Sequence, residues 1–453
     1  VIVKLKAIIC TPLLVVACSN ESPAPAGSTP QSANAAKQRV AGKSTPLSAS
    51  QSAADETSAA SGVEPADEAH DSDEYSGTGA DQARSEAGET QGPDQATIEQ
   101  IILKDAATNN SPSVLYATID HLARSGKDEG DLDIVRFGMT KALNSVSTAP
   151  KIVPLRAIDP AQTVFRIDLA EFKQARSLGL ITSAELAATN VSKLGNATVV
   201  KGDWLVFALS RPETYDRLLG LPALGSMLET QLRVDLSKAL QINTDKSEVV
   251  FNGRVLERMP LEIGGKPGGY YWRSFDFVRD DVMQNAFQDP TILRNTSIPD
   301  FVAGEFIYSL PNGMQAYYLT GFGDQHRFDV PAPGKSIDPG VATDFRRAQD
   351  GVTQCVGNKP SCGIVINGES CMTCHMEGVR LPAQVVGTNG ATMDQMKQLL
   401  DQDRARFKQA LTEMNFPQVS IEPIYGTLLI FKKDRSFADA REQAGEVEAV
   451  LGQ

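Results

Sequence analysis

From Ser19 to about Gln95 the chain offers almost nothing to bury. Val40, Leu47, Val63 and Tyr75 are the only larger apolar or aromatic residues in a run of Ala, Ser, Gly, Pro, Gln and acids. Such a segment cannot remove enough apolar surface from water to offset its chain entropy, so a disordered tether is expected here. A hydrophobic core must therefore come from residues 96–453. The tether holds thirteen acids against Lys37, Arg39, Lys43 and Arg84, so −9 of the net charge of −13 belongs to it. A flexible coil of this length spans roughly 45–50 Å r.m.s., and self-repulsion in its acidic half lengthens it. The remainder is only mildly acidic and has no long Lys/Arg run, which argues against nucleic acid or an anionic lipid surface as the main partner.

Ahead of the tether, residues 1–17 carry Lys4 and Lys6, then an apolar run through Ile8, Ile9, Leu13, Leu14, Val15 and Val16. A basic start, a short apolar core and small residues at its end describe a secretory leader. The closing Val15-Val16-Ala17-Cys18 resembles a bacterial lipobox, which implies lipidation of Cys18. A plain signal peptide ending near a chance cysteine is the alternative. Cys10 lies within the leader, and His70 is read as a solvated bystander in the tether. By analogy with lipoprotein sorting, Ser19 after the cysteine favours the outer membrane. The expectation is an exported protein, lipid-anchored in the periplasm or at the cell surface, whose only membrane contact is its anchor. No apolar stretch reaches the ~20 residues of a spanning helix.

The segment that carries chemistry is Asn367-Gly-Glu-Ser-Cys371-Met-Thr-Cys374-His375. C-x-x-C-H is the c-type haem attachment signal: two thiols form thioethers with the haem vinyl groups, and the adjacent imidazole ligates iron. A zinc site needs four ligands, and no second cysteine pair at this spacing exists. A thioredoxin-like pair is expected to follow a strand-helix pattern, and the sequence pattern here predicts none of the expected kind leading into the motif. Haem c, held by Cys371, Cys374 and proximal His375, is the expected cofactor. Cys355 and Cys362, with Gly and Pro between them, are expected to form a disulfide in an oxidising compartment. For the sixth iron position the candidates are Met396, Met393, Met414 and His326. The methionines also fit the apolar face of a helix from Ala391 to about Asn415. His121, in an amphipathic helical pattern beginning at Val114, reads as a packing residue.

Elsewhere, residues 96–147 read as helices, Thr163 to Leu169 as a strand, and Trp204–Leu219 and Pro222–Leu240 as helices. Short strands follow at Ser247–Leu256 and Tyr270–Phe277, with a hairpin of Glu305–Leu310 and Met314–Leu319 across Pro311-Asn312-Gly313. After the motif come the long helix, an extended Glu422–Phe431 and a final helix near 437–451. The fold class expected is α+β, mainly helical with a small antiparallel sheet and one covalent haem in the C-terminal part.

The order Thr163-Val-Phe-Arg-Ile-Asp-Leu, Asp203-Trp to Ser210-Arg-Pro, Tyr271-Trp-Arg-Ser-Phe-Asp-Phe, Ser309-Leu-Pro-Asn-Gly-Met-Gln-Ala-Tyr and the attachment segment resembles large bacterial monohaem c-type cytochromes. The resemblance spans most of residues 96–450. It implies one large cytochrome unit, with Cys371, Cys374 and His375 in their usual roles. It supplies no substrate, and the disulfide loop looks like an insertion. The function expected is one-electron transfer to a redox partner protein. The alternative is a haem enzyme or small-ligand sensor with an open distal site.

Overall fold

The computed structural model describes residues 94–244, 254–277, 280–288, 301–321, 325–326, 329–332, 363–380, 385–415 and 421–434. The leader, the tether with Cys18, the Cys355–Cys362 loop and the helix expected near 437–451 lie outside them. The described residues form a mixed α/β fold of twelve α-helices, a five-stranded sheet and a six-stranded sheet. The sheets are larger than the small sheet expected from the sequence.

The first sheet contains β1 (Val114–Thr118), β2 (Arg156–Ala157), β3 (Val164–Asp168), β4 (Val191–Leu194) and β5 (Ala197–Lys201), in the order β2-β3-β1-β5-β4. β1 runs antiparallel to β3 and parallel to β5. All five residues of β1 are buried. A strand buried on both faces has no polar alternation, so its Val-Leu-Tyr-Ala-Thr run is easily mistaken for a buried helix. That corrects the helical reading of this segment; His121 instead belongs to the short helix that follows.

The second sheet is antiparallel throughout: β6 (Leu240–Thr244), β7 (Arg254–Ile263), β8 (Lys266–Phe277), β9 (Phe301–Ser309) and β10 (Gln315–Thr320). A separate pair, β11 (Asp329–Ala332) and β12 (Gly363–Ile366), precedes the motif, and β13 (Gly387–Asn389) closes the second sheet beside β6. The expected hairpin is present as β9 and β10. The Pro222–Leu240 stretch, in contrast, is a short helix that gives way to β6. Register puts Trp272, Ser274, Glu305, Ile307, Tyr317 and Leu319 on one face, and Tyr271, Phe275, Phe306, Tyr308 and Tyr318 on the other.

Helices α1 (Gln95–Ala106), α2 (Asp120–Arg124), α3 (Glu129–Ser145), α4 (Leu178–Thr182), α5 (Ala187–Asn190) and α6 (Gly202–Ser210) accompany the first sheet along the chain. Then come α7 (Pro212–Leu219), α8 (Gly225–Leu232), α9 (Asp280–Gln288), α10 (Glu369–Cys374), α11 (Met393–Glu413) and α12 (Pro423–Asp434). Asp128 caps α3 by accepting from Asp131 N at 3.0 Å. Thr392 and Gln395 form a reciprocal capping box on α11. The main core joins Leu115, Phe165, Val135, Met139, Trp204, Leu205 and Leu428 to Trp272, Ile307 and Tyr317 of the second sheet. At roughly 1.5–3 kcal/mol per large apolar side chain removed from water, this core dominates folding.

α12 corrects the extended reading of Glu422–Phe431. Its Ile- and Leu-rich sequence favours a strand on propensity alone. Glu422 accepts from Tyr425 N at 2.7 Å at the start of the helix, and Lys141 donates to Glu422 Oε1 at 2.6 Å. Burial of this segment against α3 and α6 outweighs propensity. The Phe207 and Phe431 rings lie 5.1 Å apart. α11 is tied to the second sheet by Arg258, which donates twice to Asp403 at 2.9 Å, and by Trp272 Nε1, which donates at 2.8 Å. Among the described residues no helix is long and apolar enough to cross a membrane.

Candidate functional site

α10 carries the attachment motif and is short because of what brackets it. Gly368, just before it, has φ +80, and a Cβ there would lie 2.8 Å from Ser210 O and 3.0 Å from the Tyr215 ring. Only glycine brings the chain this close to α6 and α7. Glu369, in the first turn, pairs with Arg211 at 3.0 Å, both side chains buried. Ser370 Oγ accepts from Ile366 N at 2.9 Å.

Asn367 fixes the approach to the motif from outside. Its Nδ2 donates to Asp216 Oδ1 at 2.6 Å, and its Oδ1 accepts from Leu319 N at 3.2 Å. The other Asp216 oxygen is 2.8 Å from His326 Nε2, while His326 Nδ1 is 2.8 Å from Leu319 O. The His326 ring stacks on Tyr318 with centroids 4.2 Å apart. Strand β10, helix α7 and the motif are thus joined by one hydrogen-bonded chain.

Within the motif, Cys371 is buried and Cys374 partly exposed. Three residues apart on a helical turn, they lie on the same side of α10. His375 follows at the C-cap, its N–H bonded to Cys371 O at 2.9 Å. Its ring packs against Tyr317 with centroids 5.8 Å apart and planes 24° from parallel. Nδ1 faces Gly378 O at 3.4 Å, and Nε2 faces Glu305 Oε2 at 3.2 Å. Gly378 has φ +99, and a Cβ there would press on Arg404 Cγ at 3.3 Å. The turn that brings its carbonyl to His375 therefore requires glycine.

The electrostatics centre on Glu305. Burial alone would raise its carboxyl, but the His375 imidazole and the Arg254 guanidinium outweigh burial and hold it below the usual range. Burial pushes the Cys371 thiol well up, and the charges of Glu305 and Cys374 push it further. Burial likewise raises the phenols of Tyr215 and Tyr317, which border the same space.

These residues fit a covalent haem. Two cysteines stand one helical turn apart, and the adjacent imidazole has its Nδ1 directed at a backbone carbonyl, which leaves Nε2 for a metal. Among the described residues no group of three or more His, Cys, Asp or Glu side chains is arranged to hold a bare metal ion. A haem iron, already held by four porphyrin nitrogens, asks only for axial ligands.

The candidates for the sixth position are scattered. His326 has both ring nitrogens against other acceptors. Met414 belongs to the cluster with Phe306 and Tyr318, on the sheet face opposite Glu305. Met393 stands at the first turn of α11, partly exposed, and Met396 is buried in the main core. The side chain within hydrogen-bond distance of His375 Nε2 is Glu305, whose only sequence signal is an acid inside the apolar strand Phe306-Ile307-Tyr308. His121 pairs with Asp203 at 3.1 Å, away from the motif. A cavity of about 530 Å³ lined by Pro112, Arg176, Leu178, Lys193 and Thr198 shares no residue with the site. No protein-family model, characterised protein or solved structure matches this chain.

Proposed function

We propose that this protein is a monohaem c-type cytochrome, exported and held at a membrane by lipid on Cys18, that passes single electrons to or from a redox partner. The observation that carries the reading is the pairing of the C-x-x-C-H spacing with the His375 ring, whose Nδ1 is directed at Gly378 O and whose Nε2 faces the Glu305 side of the site. Cys371 and Cys374 would hold the haem covalently, which keeps it from being lost outside the cytoplasm. The bound haem would supply an iron that accepts and returns one electron. The protein's own part is to orient His375 through Gly378, to cover the ring with Tyr317, and to anchor α10 through Arg211–Glu369 and Asn367–Asp216.

Expression with haem-attachment machinery should give a denaturation-resistant haem band and a pyridine haemochrome of the two-thioether type. Cys371→Ser and Cys374→Ser should each alter that spectrum, and the double variant should carry no haem. An apo wild-type protein under these conditions would refute the reading. Cys18→Ser should move the protein from the membrane to the soluble fraction. A second reading, a haem enzyme or small-ligand sensor, draws on the partial exposure of Glu305 beside His375. A ferrous spectrum that shifts with CO would favour it over simple electron transfer.

A further inference from the structure

We propose that Glu305 is the sixth ligand of the haem iron, so that the iron is held between imidazole and carboxylate. This rests on the haem reading above and adds to it the identity of the second axial group. Its Oε2 is the atom the structure places against His375 Nε2, at 3.2 Å. Its charge also acts on the Cys371 thiol, whose Sγ donates to Ile366 O at 3.9 Å. Glu305 therefore already touches the nitrogen that would bind the iron, and it belongs to the electrostatic surroundings of the thiol that would anchor the porphyrin. To admit haem, the carboxylate has to give up its contact with Nε2.

Its backbone cannot follow the side chain away. Glu305 sits in β9, paired to Ser274 of β8 on one side and to Leu319 of β10 on the other. Ser274 Oγ also accepts from Glu305 N at 3.2 Å and donates to Glu305 O at 3.3 Å. The carboxylate can swing only within the reach of a three-carbon side chain, so it remains beside an iron taken by Nε2. The competing side chains are worse placed. His326 is engaged by Leu319 and Asp216. Met396 and Met414, eighteen residues apart on one helix, are separated by roughly 27 Å at 1.5 Å per residue. At most one of them could approach the iron, and Met414 packs in the cluster on the other face of the sheet. The Glu305 side chain is 21% exposed, so solvent or a small molecule can compete for its place.

A carboxylate oxygen is a hard, weak-field, anionic ligand, unlike a thioether or a second imidazole. The ferric full-length protein should therefore be high-spin at room temperature. Near-infrared magnetic circular dichroism of the unmodified protein should show neither the methionine nor the bis-histidine signature. Glu305→Gln should raise the reduction potential and speed azide binding at least severalfold, and Glu305→Met should turn the ferric iron low-spin. Met396→Ala should leave the spectrum unchanged. A low-spin wild type with a methionine or bis-histidine signature, or a spectrum altered by Met396→Ala but not by Glu305→Gln, would overturn the assignment. The pyridine haemochrome separates the two claims. Wild type without covalent haem defeats the haem reading itself, whereas covalent haem with a spectrum indifferent to position 305 defeats only the ligand assignment. Because the dichroism is measured on wild type, a Glu305 variant that fails to fold does not remove the test.

Discussion

Replacing Asp403 by leucine should be among the most damaging single changes in the protein. Asp403 is 4% exposed and receives three donors: Nε and Nη2 of Arg258 at 2.9 Å each, and the Trp272 indole at 2.8 Å. Its removal leaves a guanidinium buried without a counter-charge, which costs about 3–5 kcal/mol. The stranded indole N–H adds to that, by about 1–3 kcal/mol in isolation. Because these penalties fall on one network they do not sum. A loss of about 4 kcal/mol, close to a thousandfold in the folded-to-unfolded ratio, is expected. The double variant Arg258→Met/Asp403→Leu removes both charges and should recover all but the indole penalty, about 1–3 kcal/mol. Urea unfolding followed by tryptophan fluorescence measures both, since Trp272 is one of two tryptophans in the chain. The m-value should not change. In the haem-loaded protein proposed above, the spectrum should respond to the single variant as well, because Arg404, the next residue, donates to Val379 O at 2.7 Å beside the Gly378 turn. A single variant within about 1 kcal/mol of wild type, or a double variant no better than the single, would refute the argument from charge burial.

Glu422→Gln should destabilise by about 3–5 kcal/mol by stranding the Lys141 ammonium, and Lys141→Met/Glu422→Leu should recover most of that in the same urea assay. Gly138→Ala puts a methyl 2.3 Å from Thr427 Oγ1 and 2.9 Å from Pro423 O, so a loss of about 1–3 kcal/mol is expected. Adding Thr427→Ala should restore only part of it, since the Pro423 carbonyl remains; full recovery would contradict the packing seen between α3 and α12. Asn367→Ala should cost about 1–3 kcal/mol in thermal or urea unfolding, and Asn367→Asp should cost more, since it sets a second carboxylate against Asp216.

What the sequence made legible was local. The Asn-Gly turn marks the β9–β10 hairpin, the period of α11 is visible between Thr392 and Met414, and the C-x-x-C-H spacing on which the haem proposal rests lies within five residues. The strand at β1 and the helix at α12 were misread because both are enclosed by distant segments. A wholly buried stretch has no polar face to show its period, and α12 packs so closely that a Cβ at Gly426 would lie 2.7 Å from Ile134 Cγ2 and 2.8 Å from Ile421 Cγ2. The Glu305–His375 contact joins residues seventy positions apart, and nothing near either residue points to the other. Met396, Met414 and His326 are plausible ligands by residue type alone. Met396 is buried in the core that also holds Cys371, Met414 in the cluster on the other sheet face, and His326 is held in the Asp216–Leu319 clasp.

The pairing of α12 with α3 has a consequence for the order of events in the life of the chain. Lys141 and Glu422 are 281 residues apart, and the core they close also contains Trp204, Cys371 and Met372. The edge strand β13 and the long helix that braces the second sheet also follow the attachment motif in the chain. A chain emerging from its amino end therefore presents Cys371, Cys374 and His375 before the segments that enclose them exist. The covalent attachment proposed for those thiols would have its natural window then, while the polypeptide is open, and the later helices α11 and α12 would enclose what has been attached.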